Sequence, residues 1–427
     1  MKLFVTMLLA LSATLTVPDS VAESPPGADE LNSPEYWQRY FSIPKSWPAE
    51  DVDADILRRA KEQGVEAMFF EGPQYNGKPT RVFAFYGVPE ASKRDASGQV
   101  PGILLIHGGG GTAFETWVKL WVDRGYAAIA LDTCGAVPKG QNPDSPFGNV
   151  WERLPAGEGG PPGWGGIGQV ATGNEDPRDN WMHQATAASV LAHSWLLAQP
   201  EVDPVRTGVT GVSWGGVLTC RVAGADPRFK FAAPVYGCGL LDEPSLVSEE
   251  LAAKGDLGKL WTALYDPSHL LRRAQMPFLW INGTNDATFP ISIWLKSTRL
   301  TKGPSTLSMP LRMPHAHGGP GENPAEIFAF AQSVMQGQTP LPKAGSVTAE
   351  AGVAKVAWQA VVPIVKVELL FTRDSKNGQP GPTWLWEAQA VQFAPGSTSA
   401  EITIPEGATQ WFFNLTDERG LMVSAFE

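Results

Sequence analysis

The chain has 427 residues, 43% of them hydrophobic and 18% charged, with a formal net charge of −11. That length allows two or three domains with a large core, and the low charge with 10% aromatic content excludes a disordered chain or a coiled coil. The 44 Asp and Glu outnumber the 33 Lys and Arg, and no basic run occurs, which argues against nucleic acid as a partner because phosphate binding needs clustered positive charge.

Met1 to Ala22 has Lys2 as its only basic residue, an apolar stretch from Leu3 to Val17, and small residues Ser20 and Ala22 at −3 and −1 of a cleavage site. This is the layout of a signal peptide over residues 1–22, and it predicts a periplasmic or extracellular protein. The apolar run is shorter than the roughly 20 residues of a membrane span, so no stable membrane span is expected. Cys134, Cys220 and Cys238 are odd in number and permit one disulfide at most. Each lies in or beside an apolar segment, as a buried thiol would, and none has a partner at metal-ligand spacing.

Beyond a Ser/Pro/Gly leader, Met68–Phe70, the turn signal Tyr75-Asn76-Gly77 and Val82–Val88 predict an antiparallel hairpin. From Gly102 short apolar strands alternate with helices. Strands are expected at Ile103–Ile106, Tyr126–Leu131, Val209–Val212, Phe231–Tyr236, Pro277–Ile281 and Leu307–Met313, and helices at Thr112–Arg124, from Trp181, through Ala223 and at Ala325–Met335. This pattern implies an α/β domain over residues 30–338, a mostly parallel sheet covered on both faces, with ligands bound outside the carboxyl ends of the strands. Residues 137–180 interrupt the rhythm with a Gly/Pro-rich insertion in which Trp151, Trp164 and Trp181 are candidates for a substrate rim. After Pro340–Pro342 the period falls to two: Val365, Val367, Leu369 and Phe371 alternate with Lys366, Glu368, Leu370 and Thr372, and turns are signalled at Asn377-Gly378 and Arg419-Gly420. Residues 343–427 therefore read as an all-β immunoglobulin-like sandwich.

Four segments carry chemistry, each after a predicted strand. His107-Gly108-Gly109-Gly110-Gly111 lets backbone N–H groups approach a substrate oxygen, so Gly109, Gly110 and Trp214 are the expected oxyanion donors, with His107 a buried structural imidazole. No Gly-Lys-Ser/Thr follows these glycines, which disfavours a phosphate loop. Gly211-Val212-Ser213-Trp214-Gly215 places a serine on a strand-to-helix turn that tolerates only small residues two positions to either side, making Ser213 the nucleophile. Asp286, in Asn282-Gly283-Thr284-Asn285-Asp286, is placed to orient an imidazole; Asp242 and Asp266 do not directly follow a strong strand. In Pro314-His315-Ala316-His317-Gly318-Gly319 two histidines compete. His317 lies farther into the loop between Ala316 and Gly318 and is the expected base, with His315 as the alternative. No acidic or Cys cluster accompanies His-x-His, so no metal or other cofactor is expected. Asn282-Gly283-Thr284 and Asn414-Leu415-Thr416 match the glycosylation pattern by chance.

These segments, with Thr112-Ala113-Phe114, Trp117, Asp132-Thr133-Cys134-Gly135 and Val235-Tyr236-Gly237-Cys238-Gly239, resemble the α/β-hydrolase superfamily. Within it they look like secreted bacterial dienelactone-hydrolase-like and acetyl-xylan-esterase-like members. The resemblance spans residues 101–336 and implies an α/β-hydrolase fold and a serine carboxylic-ester hydrolase acting on small esters or acetylated carbohydrates. Ser213 stands where true dienelactone hydrolases carry a cysteine. A serine peptidase of the same fold and a non-catalytic carbohydrate-binding module are the alternatives.

Overall fold

The computed structural model describes residues 26–109, 111–141, 149–163, 175–245, 247–374 and 383–427. Its core is a nine-stranded sheet. Strands β1 (Ser46–Pro48), β2 (Val65–Tyr75) and β3 (Lys78–Gly87) are followed by β4 (Val100–Ile106) and β5 (Ala127–Leu131). A separate hairpin, β6 (Ala136–Gln141) with β7 (Asn149–Arg153), stands in the expected insertion. The sheet resumes with β8 (Val202–Val212), β9 (Phe231–Val235), β10 (Phe278–Ile281) and β11 (Ser305–Ser308), giving the order β1-β2-β3-β5-β4-β8-β9-β10-β11. The strands from β5 to β11 run parallel, while β1, β2 and β3 join antiparallel at one side. Asn76 and Gly77 adopt φ of 51° and 69°, the left-handed pair that a two-residue hairpin turn requires.

Strands β4, β5, β9 and β10 and the second half of β8 are buried, and so is nearly every residue of the helix Trp181–Leu197, capped by the Asn180 side chain on the Met182 N–H. Most of the Trp residues serve this core, Trp37, Trp117, Trp121, Trp280 and Trp294 being wholly enclosed. His183, on the buried helix, accepts a hydrogen bond from the Tyr36 hydroxyl (2.9 Å), and burial pushes its pKa down to about 3. The unfolded chain therefore binds a proton there between pH ~6.5 and ~3 that the folded chain does not, so stability is lost as pH falls through that window. This histidine is expected to contribute a loss of about 1 kcal/mol per pH unit. Urea unfolding at pH 6.5, 5.5 and 4.5 should show a slope that is reduced in His183→Gln; an unchanged slope would refute the assignment.

The strand expected at Leu307–Met313 instead occupies β11 and ends before Met309. Pro310 lacks a ladder donor, and the Met309 N–H is taken by the Ser424 hydroxyl (2.8 Å), which frees residues 309–314 to form a loop. The C-terminal strands form two antiparallel sheets. Strands β12 (Lys343–Glu350), β13 (Val353–Gln359), β14 (Ile364–Thr372), β15 (Trp386–Ala390), β16 (Ser399–Thr403), β17 (Gln410–Asp417) and β18 (Met422–Ala425) assemble as β12-β13-β16 and β15-β14-β17-β18. This agrees with the expected α/β fold carrying a β-sandwich. A bulge between Ile364 and Lys366 shifts the alternation, burying Ile364 and leaving Val365 56% exposed. Asn377-Gly378 lies outside the described residues.

The sandwich docks on the edge of the large sheet beside β11. The Asn414 amide donates to the Met309 carbonyl (3.1 Å) and the Met422 N–H to Glu326 (3.0 Å), while Trp294 packs against Phe426. All three cysteines are buried and free. Asn282 and Asn414 are buried as well, which closes both glycosylation patterns to modification in the folded chain. Among the described residues no helix is long and apolar enough to cross a membrane.

Candidate active site

Ser213 sits between the end of β8 and the helix Trp214–Ala225, with φ 58° and ψ −119°. The strain is held by its neighbours. A Cβ at position 211 would lie 2.2 Å from the Gly215 carbonyl oxygen, and one at position 215 would lie 2.0 Å from that of Ile106, so both glycines are sterically required. The Ser213 N–H is bonded to the Val235 carbonyl (2.8 Å), which leaves the side chain partly exposed above the sheet.

Asp286 follows β10 and is 5% exposed. One carboxylate oxygen accepts the N–H groups of Thr288 (2.9 Å) and Phe289 (2.8 Å); the other accepts the Nδ1–H of His315 at 2.6 Å. That donation fixes the tautomer, so His315 Nε2 accepts the Ser213 hydroxyl at 2.8 Å. Tyr236, at φ 52°, stacks its ring on His315 (4.6 Å, 24°) and donates its hydroxyl to the Pro314 carbonyl (2.6 Å). Phe289 stacks with the same imidazole at 6.3 Å. The two loops are also tied to the sandwich: Asn285 donates to the Trp384 carbonyl (2.8 Å) and Arg312 to that of Trp386 (3.3 Å).

The histidine assignment is therefore corrected. The expected base, His317, does not reach Ser213. It is buried, its Nε2 accepts the Gly108 N–H (2.9 Å), and its Nδ1–H donates to Glu322 (2.8 Å). The loop turns back two residues earlier than its small residues suggested, because Tyr236 anchors it at Pro314. His107 is buried with its pKa pushed down to about 3 by desolvation; it accepts the Thr133 N–H (3.0 Å) and donates to the Gly108 carbonyl (2.7 Å). Gly109 lies in the turn after β4, and Gly110 is outside the described residues.

A second correction concerns the rim. Trp181 is buried, donates its indole N–H to the Thr133 carbonyl (2.8 Å) and packs edge-on against Trp214 (5.6 Å), the residue after the nucleophile. Trp151 is 38% exposed on β7, and Trp164 lies outside the described residues. Asp266, the competing carboxylate, is spent on the N–H groups of Leu240, Leu241 and Ser268. One buried group, His107, Asp132 and Cys134, brings metal-ligating atoms within 4.8 Å of one another. Its donors are already committed: Asp132 accepts from Thr112, Cys134 N–H and Ala136 N–H, and burial holds the Cys134 thiol protonated. The residues do not fit a cation. Sequence reasoning missed Tyr236 and Glu322 as site residues; only the Val235–Gly239 segment gave any signal, and it carried no role.

Residues 35–238 match the family model Acetyl xylan esterase (AXE1), and residues 174–335 match the Prolyl oligopeptidase family. Among solved structures, the acetyl xylan esterase from Paenibacillus sp. R4 is 20% identical, with a TM-score of 0.50, covering 70% of this chain and 99% of its own. Acetyl xylan esterase 1 from Thermoanaerobacterium sp. JW/SL YS485 is 17% identical over 68% of this chain and 90% of its own (TM-score 0.47). The acylaminoacyl peptidase of Pyrococcus horikoshii is 17% identical over 66% of this chain and 44% of its own (TM-score 0.43). No curated protein matches the chain.

Proposed function

We propose that this chain is a serine ester hydrolase of the α/β-hydrolase superfamily that removes acetyl or similarly small acyl groups from carbohydrate substrates outside the cytoplasm. The observation that carries the mechanism is the hydrogen-bonded series Ser213, His315, Asp286. Ser213 Oγ attacks the ester carbonyl carbon while His315 Nε2 takes its proton, and the Asp286 carboxylate stabilises the imidazolium. The tetrahedral oxyanion is held by the backbone N–H groups of Gly109 and Trp214. Its collapse expels the alcohol, which leaves with the proton from His315. Water, deprotonated by the same imidazole, then attacks the acyl-enzyme and releases the carboxylate and free Ser213.

The substrate class is supported by the acetyl xylan esterase match over residues 35–238 and by the fold shared with the Paenibacillus enzyme. Export rests on the signal-like residues 1–22, and a mature chain beginning after Ala22 in a periplasmic or culture fraction is the expected finding. A peptidase reading is favoured by the prolyl oligopeptidase match over residues 174–335. A panel of p-nitrophenyl esters of increasing acyl length, acetylated xylan and aminoacyl p-nitroanilides separates the two. Acetate release from xylan with a preference for short acyl chains is expected; activity confined to long acyl chains or to anilides would overturn the carbohydrate-ester reading.

A further inference from the structure

With His315 beside the nucleophile, the buried His317 needs another explanation. We propose that His317 is the positioning residue of the oxyanion loop, holding the backbone of Gly108 so that the next N–H, that of Gly109, faces the reacting carbonyl. This rests on Ser213 being the nucleophile.

The hydrogen bonds fix every proton in the arrangement. Gly108 N–H donates to His317 Nε2 (2.9 Å), a bond across 209 residues of chain, so the ring carries its proton on Nδ1 and donates it to Glu322 (2.8 Å). Phe114 (4.8 Å) and Trp117 (6.0 Å) pack on the same imidazole. On the other side of Gly108, its carbonyl accepts the Nδ1–H of His107 (2.7 Å), whose Nε2 is held by the Thr133 N–H. The two peptide planes flanking the Gly108 Cα are thus held by two imidazoles. A trans peptide points its C=O and N–H in opposite directions, so fixing the Gly108 carbonyl on His107 turns the Gly109 N–H away from His107. With the Gly108 N–H directed at His317, donation to a developing oxyanion falls to Gly109.

The loop lies against the nucleophile. A Cβ at position 108 would stand 3.1 Å from Ser213 Cβ, 3.0 Å from His317 Nε2 and 2.8 Å from the Val212 carbonyl oxygen. Glycine is needed for that approach, yet it is also the residue least able to hold one orientation by itself. An oxyanion donor is effective only when its direction is set before charge develops. A histidine fixed by Glu322 supplies that constraint to a segment of consecutive glycines.

The test compares His317→Phe, which keeps an aromatic ring but removes the acceptor, with His317→Gln, whose amide oxygen can accept the Gly108 N–H. Turnover of p-nitrophenyl acetate is measured beside the affinity of a trifluoromethyl ketone that forms a tetrahedral adduct with serine. His317→Phe is expected to lose about 10²-fold in kcat with KM changed by less than about threefold, to lose adduct affinity by a matching factor, and to be largely restored by glutamine. A Phe variant within about twofold of wild type, a kcat loss without a matching loss of adduct affinity, or a folded Gln variant no better than Phe would overturn the proposal. Ser213→Ala, assayed in parallel, separates the failures: if it is inactive, such results count against the role of His317 alone, whereas its retaining turnover would overturn the nucleophile assignment and this proposal together.

Discussion

Ser213→Ala is expected to lower kcat on acetyl esters by about 10⁵- to 10⁶-fold while leaving the fold intact. The loss is large because the covalent route disappears: the oxyanion donors and the bound geometry remain, but no acyl-enzyme can form. Stability should change by less than about 1 kcal/mol, since the deleted hydroxyl is partly exposed and its bond is to a side chain that is itself partly exposed. Alanine also carries the same backbone burden at φ 58° that serine does. Thermal unfolding and stoichiometric labelling by a fluorophosphonate check the two halves of this expectation. A folded Ser213→Ala variant with more than about one per cent of wild-type turnover would remove Ser213 from the mechanism.

The parallel sheet was legible where its strands hold short apolar runs beside Gly, Pro or Asn, as on β4, β5, β8, β9 and β10. Ser213 was legible for a local reason: glycines at 211 and 215 leave a steric signature that only a tight strand-to-helix turn explains. The choice between His315 and His317 was not local. It depends on Tyr236, far earlier in the chain, whose ring stacks beneath one imidazole and whose hydroxyl pins the carbonyl just ahead of it. It depends equally on Gly108 and Glu322, which take up the two nitrogens of the other. Small residues around His317 signalled a turn but not which ring the turn presents. The end of β11 was misplaced for the same kind of reason, since the partner of the Met309 N–H is Ser424 in the other domain.

The corrected histidine assignment makes a sharp second prediction, that substitutions at 315 and 286 cost about 10⁴-fold or more whereas His317→Phe costs only about 10²-fold. His315→Ala is expected to cost about as much as Ser213→Ala, and the double variant little more, because the three groups act as a unit. Asp286→Asn should cost about 10⁴-fold for a reason visible in the hydrogen bonds. The N–H groups of Thr288 and Phe289 demand an acceptor at the Oδ1 position, so the carbonyl of an asparagine would stay there and its NH2 would face His315 Nδ1. The imidazole would then have to present Nδ1 as an acceptor and carry its proton on Nε2, pointing a hydrogen at the Ser213 hydroxyl it must deprotonate. Side-chain geometry would be preserved and chemistry lost, so the Asp286→Asn variant should unfold near the wild-type temperature and still bind substrate. If His317→Phe proved as damaging as His315→Ala, with Asp286→Asn nearly neutral, the base would have to be sought at 317 after all, and the carboxylate paired with it would be Glu322.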